Sequence, residues 1–294
     1  MLAQGLTRAN NIAGEMAMAA PAIPLESKFV TVEGVRLHYQ EVGSGDPVIC
    51  IHGAGPGASA ESNFKLNAGA FAEKFRVMLY DMPQYGKSSK IVLTEPRLEY
   101  NARILNGFVA ALGIDKAHIV GNSMGGQVAI KFGLDYPDRL SHLVIIGSGA
   151  VPPIFAPFPV EGVKMIGRYY KGGGPSREKL RDLLQTILYN PAFLTEQVFE
   201  ERYQASIDAE TVELFGKRQG ELPRENLGPD LHKLKAKLLT IWGMDDRFGA
   251  LDVGLQMTRM VPDARMHIFT RCGHWAQVEH AAEFNRIVLD FLAH

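Results

Sequence analysis

The sequence predicts an α/β fold: a mostly parallel central sheet with helices on both faces and an inserted helical segment. Three observations predict it. Short, wholly apolar runs recur along the chain, as strands buried on both faces require. Stretches of helical periodicity separate them. One long stretch, from 151 to about 227, carries no strand pattern.

Taken in order, residues 29–32 read as a strand, and 35–42 alternate apolar and polar with Gly34 as the turn of an edge hairpin. Residues 47–51, 76–80, 117–120, 143–146, 237–242 and 265–269 are the further strands. Between them, 101–112 repeats apolar side chains at Ile104, Leu105, Phe108 and Leu112. Residues 126–136 do the same, and 282–292 closes the chain as a helix. The insertion opens with four prolines and then places Leu180, Leu183, Leu184, Ile187 and Leu188 on one helical face. An insertion there sits over the carboxyl ends of the strands, where open α/β sheets bind ligands. The expected organisation is a core of 25–150 and 228–294, a helical cap of 151–227, and a flexible tail over 1–24. Asn10, Asn11 and Glu15 break up the tail, so it lacks the apolar stretch of a secretory signal, and Met16 and Met18 are alternative starts.

Composition narrows the function classes. Of 294 residues, 46% are hydrophobic and 21% charged, a globular balance that excludes disorder of the whole chain. A formal charge of −1 gives no footprint for nucleic acid or an anionic membrane. The two cysteines, Cys50 and Cys272, make neither a disulfide framework nor a paired-cysteine metal motif. The expected compartment is therefore a reducing cytoplasm.

The chemistry starts at Gly121-Asn122-Ser123-Met124-Gly125-Gly126. This is G-x-S-x-G between a strand and a helix, a turn that strains the serine and demands small neighbours. A serine hydroxyl needs a base. Among nine histidines, His274 follows the last strand in a loop with Gly273, the chain position that a base in the order Ser, acid, His requires. The acid that orients it should follow the strand ending at Trp242, where Asp245 and Asp246 are both candidates. The loop His52-Gly53-Ala54-Gly55-Pro56-Gly57 follows another strand. Its Ala54 N–H and that of Met124 are the candidate oxyanion donors, each worth about 3–4 kcal/mol to a tetrahedral state. His52 reads as a residue that shapes this loop.

These segments, with 242–248 (Trp-Gly-Met-Asp-Asp-Arg-Phe) and Cys272-Gly273-His274-Trp275-Ala276, resemble the α/β-hydrolases. More narrowly they are similar to the meta-cleavage product hydrolases, which split carbon–carbon bonds in aromatic catabolism. The resemblance runs from about Ser27 to the C-terminus. It implies Ser123 as nucleophile, His274 as base and Asp246 as acid, the third residue after Gly243. It also implies polar substrate contacts at Asn63 and Asn122, and a carboxylate clamp at Arg202 beside Trp275. A guanidinium fork suits a carboxylate. Each has a plainer alternative: Asn63 as a helix cap, Trp275 as packing, Arg202 as the solvated partner of Glu200 or Glu201. Two departures from the family pattern stand out: Ala54 where many members have glycine, and Gln84 in the loop after the strand 76–80.

The expectation is thus a hydrolase of 2-hydroxy-6-oxo-dienoates, needing no metal or organic cofactor and assembling as a homo-oligomer. A carboxylesterase or thioesterase of the same fold and a small-molecule receptor on the scaffold are the alternatives. Dehalogenases and epoxide hydrolases of this fold carry an aspartate where Ser123 stands.

Overall fold

The computed structural model describes residues 25–156, 160–217 and 225–294. The expected tail, 1–24, lies outside the described residues. Eight strands form one sheet in the order β1-β2-β4-β3-β5-β6-β7-β8. They are β1 (Glu26–Val32), β2 (Val35–Val42), β3 (Pro47–Ile51), β4 (Arg76–Tyr80), β5 (Ala117–Asn122), β6 (Leu140–Ile146), β7 (Lys237–Gly243) and β8 (Ala264–Phe269). The β1–β2 hairpin and its junction with β4 are antiparallel; every other pairing is parallel.

The strand period of two divides the core. Ile49, Ile51, Ile119, Leu143, Ile145 and Trp242 face one apolar cluster, shared with Phe108, Val128 and Phe132. Val48, Cys50, Val120, Val144, Ile146 and Ile241 face the other, shared with Phe64, Phe71, Phe284 and Val288. Helices therefore cover both faces. They are α1 (Ala60–Ala72), α2 (Arg97–Ala111), α3 (Met124–Asp135), α8 (Leu251–Met260), the short α9 (Ala276–Glu279) and α10 (Ala281–Leu292), in the numbering that leaves α4–α7 for the insertion.

Between β6 and β7 run α4 (Glu161–Tyr169), α5 (Arg177–Ile187), α6 (Glu196–Ser206) and α7 (Ala209–Gly216), with no strand among the described residues. Leu180, Leu183, Leu184, Ile187 and Leu188 are all buried, and pack with Phe199 into a third cluster that Phe248 and Trp275 join from the main body.

The periodicity missed some ends. Helix α2 begins four residues before Asn101, after Pro96, because the Glu225 carboxylate accepts from the Leu98 and Glu99 N–H groups. That cap comes from far along the chain, so no local pattern announces it. Helix α1 starts after Ser59, which forms a reciprocal capping box with Ser62. Asn63 is therefore not the cap.

Candidate active site

Ser123 sits between β5 and α3 at φ 52°, ψ −120°, outside the ordinary regions for a side-chain-bearing residue. Such strain costs about 1–3 kcal/mol and persists only where the surroundings enforce it. Here the Ser123 N–H donates to the Ile146 carbonyl (2.9 Å) and Ser148 Oγ donates to the Ser123 carbonyl. A methyl group on Gly125 would lie 2.3 Å from the Ile51 carbonyl oxygen, so the turn packs directly on β3. Met124 is the first residue of α3, and its N–H has no acceptor within the helix. Among the described residues the Ala54 N–H also has no acceptor. Both donors stand beside Ser123, with the positive end of α3 behind them.

His274 is buried, and its Nδ1 is 2.8 Å from Asp246 Oδ2. The other oxygen of Asp246 accepts from the Phe248 and Gly249 N–H groups at 2.7 and 2.9 Å. The carboxylate is thus held by three donors. Asp245 is exposed to solvent, so the ambiguity between the adjacent aspartates resolves: only Asp246 meets the imidazole. The His274 N–H donates to the Ile187 carbonyl (2.7 Å), and the ring stacks on Phe248 at 5.1 Å. Gly147, at φ 53°, backs the pair; a methyl there would lie 2.6 Å from His274 Nδ1 and 2.7 Å from Asp246 Oδ2. Glu279 fixes the loop, accepting from the Gly273 N–H (2.7 Å) and from Asn190 in the insertion (2.9 Å).

Arg202 comes down from α6 and is only 2% exposed. Its Nη1 donates to Ser62 Oγ (3.0 Å), its guanidinium carbon lies 5.5 Å from the Trp275 ring centre, and its Nε has no partner among the described residues. Glu200 pairs with Arg177 and Glu201 with Lys65, which corrects the alternative of a solvated ion pair. Burial lowers the Arg202 pKa to about 10, mitigated only by the phenols of Tyr170 and Tyr169. It is a buried cation without an anion among the described residues.

Asn63 accepts from the Gly53 N–H (3.3 Å) and donates to the Ser59 carbonyl. Asn122 donates to the Ile146 carbonyl (3.1 Å) while its Oδ1 is buried without a partner among the described residues. His52 bridges its loop, Nδ1 donating to the Gly53 carbonyl and Nε2 accepting from the Met82 N–H. Asn63, Asn122, Ser123, Arg202, His274 and Trp275 converge on one cavity of about 20 Å³, room for about one water. Ala54 also lines it, while Met124 is not among the lining residues. Sequence reasoning missed Phe248, Ile166 and Ile187 on its walls, and Ser62 beneath Arg202. Nothing local marks Ile166, Ile187 or Ser62. No group of three or more His, Cys, Asp or Glu among the described residues could hold a metal ion, and no helix among them is long and apolar enough to cross a membrane.

A strained serine after a parallel strand, a buried His–Asp pair and the Ala54 and Met124 N–H groups thus lie close together on an α/β scaffold. The pattern of the alpha/beta hydrolase fold matches residues 46–281, and the chain belongs to this family. Within it, the chain is 42% identical to a 2-hydroxy-6-oxo-6-phenylhexa-2,4-dienoate hydrolase of Burkholderia cepacia, over 91% of this chain and 96% of that one. It is 44% identical to a 2-hydroxy-6-oxononadienedioate/2-hydroxy-6-oxononatrienedioate hydrolase of Paraburkholderia phymatum, over 90% and 95%. A meta-cleavage product hydrolase of Pseudomonas fluorescens has a similar structure, with a TM-score of 0.82 at 34% identity over 90% and 97% of the two chains.

Proposed function

We propose that the protein hydrolyses the carbon–carbon bond next to the C6 ketone of a 2-hydroxy-6-oxo-dienoate formed by ring cleavage of a catechol. The enol substrate first ketonises, giving the bond to be broken an electron sink. His274 Nε2 takes the hydroxyl proton as Ser123 Oγ attacks C6, and Asp246 stabilises the imidazolium that forms. The oxyanion is held by the N–H groups of Ala54 and Met124. Collapse breaks the C5–C6 bond, its electron pair is delocalised through C3–C4 onto the C2 oxygen, and that oxygen takes up the proton of the imidazolium. Hydroxypentadienoate leaves. Water, deprotonated by His274, then attacks acyl-Ser123 and releases the acid. Asn63 and Asn122 orient the dienoate chain, Trp275 flanks it, and residues 151–227 act as the cap that excludes water.

One observation carries the reading: Arg202, a buried guanidinium without a counter-charge among the described residues, on the same cavity as Ser123. A buried cation is costly until an anion neutralises it. A simple ester supplies none; a dienoate supplies a carboxylate several bonds from the scissile one. Remote binding energy of this kind positions the reacting atoms and so appears in kcat as well as KM. Arg202→Ala should cost about 30- to 1000-fold in kcat/KM for a dienoate and leave a neutral phenyl ester nearly unchanged. Equal loss on both substrates would make Arg202 a prop of the insertion. No loss on either would overturn the dienoate reading. Ser123→Ala should abolish turnover of both.

The same reading places the enzyme in the cytoplasm as a homo-oligomer. Both cysteines are free and buried, as a reducing compartment permits, and light scattering in solution checks the assembly.

A further inference from the structure

A second, larger cavity of about 290 Å³ adjoins the first and shares Ala54, Gly55 and Ile166 with it. We infer that this cavity receives the substituent on C6, that it is built for a two-ring aryl group, and that Gly167 keeps its mouth open. The inference rests on the reading above, because only a ketone held over Ser123 directs its substituent there. Ala54, whose N–H is the oxyanion donor in that reading, is part of the wall the two cavities share, so this space lies next to a C6 held over Ser123.

The walls give the chemistry. Tyr85, Tyr170 and Phe215 line the cavity as a connected aromatic set, Phe215 lying 5.6 Å from Tyr85 and stacking on Tyr170 at 5.5 Å. Burial pushes both phenols up, as dry walls do. Offset and edge-on contacts between rings add to area burial, so flat aromatic groups suit such a lining. The size is the second argument. Roughly 150 Å³ of cavity accommodates a benzene ring. A single phenyl group therefore leaves about half of this space empty, and apolar walls facing a void lose their contacts.

Helix α4 crosses the cavity and contributes Ile166 and Gly167. A methyl group on Gly167 would meet no atom within 4 Å. Gly167 is exposed at the rim of the cavity, so the position is unfilled and a bulky side chain there can take up space at the cavity mouth. A glycine in mid-helix weakens the helix, and here that cost coincides with the room it creates.

The competing occupant is a short chain ending in a carboxylate. Arg97 lines the cavity, is half-buried, and has no acidic partner among the described residues; its Nη1 rests 3.8 Å from Met124 Sδ. Such a chain of about five heavy atoms is smaller than a benzene ring and fills the space still less.

The experiment measures kcat/KM for dienoates carrying methyl, 2-carboxyethyl, phenyl and naphthyl groups on C6, with the wild type and Gly167→Phe. The naphthyl substrate should exceed the methyl one at least about tenfold and match or exceed the phenyl one. Gly167→Phe should cut naphthyl turnover about tenfold or more while sparing the methyl substrate. Gly167→Ala, which strengthens the helix and fills little space, is the control for folding and should retain the wild-type ranking. Preference of the wild type for the carboxyethyl or methyl substrate overturns the inference, as does an equal loss on all substrates in Gly167→Phe with the fold intact. Turnover of the methyl dienoate without the naphthyl one leaves the dienoate reading standing. If no dienoate is turned over, both readings fall.

Discussion

Asp245 and Asp246 are neighbours of the same chemistry, and their surroundings separate them. Asp246 spends three hydrogen bonds on His274, Phe248 and Gly249, whereas Asp245 faces solvent. Asp246→Asn should keep the packing but present a donor where the imidazole N–H needs an acceptor. The expected loss in kcat is about 10³- to 10⁴-fold, against a minor change for Asp245→Asn. Steady-state kinetics decide it, and the reverse ranking would refute the assignment. Arg202 carries a second prediction, on stability. Its pKa is lowered from the usual 12.5 to about 10, so the folded state disfavours the charge it holds throughout the neutral range. Replacing the uncompensated cation with an apolar side chain of similar length removes that penalty. Arg202→Met should melt a few degrees higher than the wild type while losing dienoate turnover. A lower melting temperature would mean that the Ser62 contact and the Trp275 stacking outweigh the charge.

At the scale of elements, β5 and β6 bring His118 and His142 together, rings 4.9 Å apart and Nδ1 atoms 3.1 Å apart. One ring donates and the other accepts, so a second proton would set two cations in contact. Burial, then the His142 charge, lower the His118 pKa from 6.5 to about 4. The sign follows from the folded state binding its proton less readily than the unfolded one. The stability tied to neutral His118 is complete above pH 6.5 and drains away as the pH falls towards 4. His118→Gln cannot take up that proton. The variant should therefore gain on the wild type between pH 7 and pH 5 in denaturant titrations. A difference that stays constant with pH would show that the pair does not titrate with unfolding. The elbow between β5 and α3 is the opposite case, where strain is local and enforced by β3 and β6 on either side.

Over the whole molecule, two apolar clusters on the sheet and a third in α4–α6 divide the stability. Phe248 and Trp275, with Val278 packed against them, are the main-body side chains at the third cluster, and Glu279 ties the His274 loop to Asn190. The insertion should thus open more easily than the sheet, as ligand-covering segments do. Leu184 is fully buried in its cluster. Leu184→Ala should cost about 2–5 kcal/mol locally. Amide exchange should accelerate across α4–α6 and stay slow in β5, β6 and β7. Equal acceleration in the sheet would show one cooperative unit, against a separate cap at 151–227.

The sequence by itself determined the sheet strands, the elbow at Ser123, the place of His274 after the last strand, and a long insertion without strand pattern. Each is a local signal: apolar runs of strand length, glycines packed around a strained serine, a histidine in a loop after a strand. Resemblance added Asp246 and Arg202, which local chemistry alone left tied with Asp245 or with a surface ion pair. Only the tertiary structure decided the rest. The aspartate that meets His274 is the one also held by two N–H groups of its own loop. The early start of α2 depends on Glu225, a cap delivered from the far end of the insertion. The burial of Arg202 depends on α6 lying against α1, and the wide cavity on what α4 leaves empty at Gly167. Burial and empty space are properties of surfaces brought together from distant parts of the chain, and no window of sequence contains both sides of a contact.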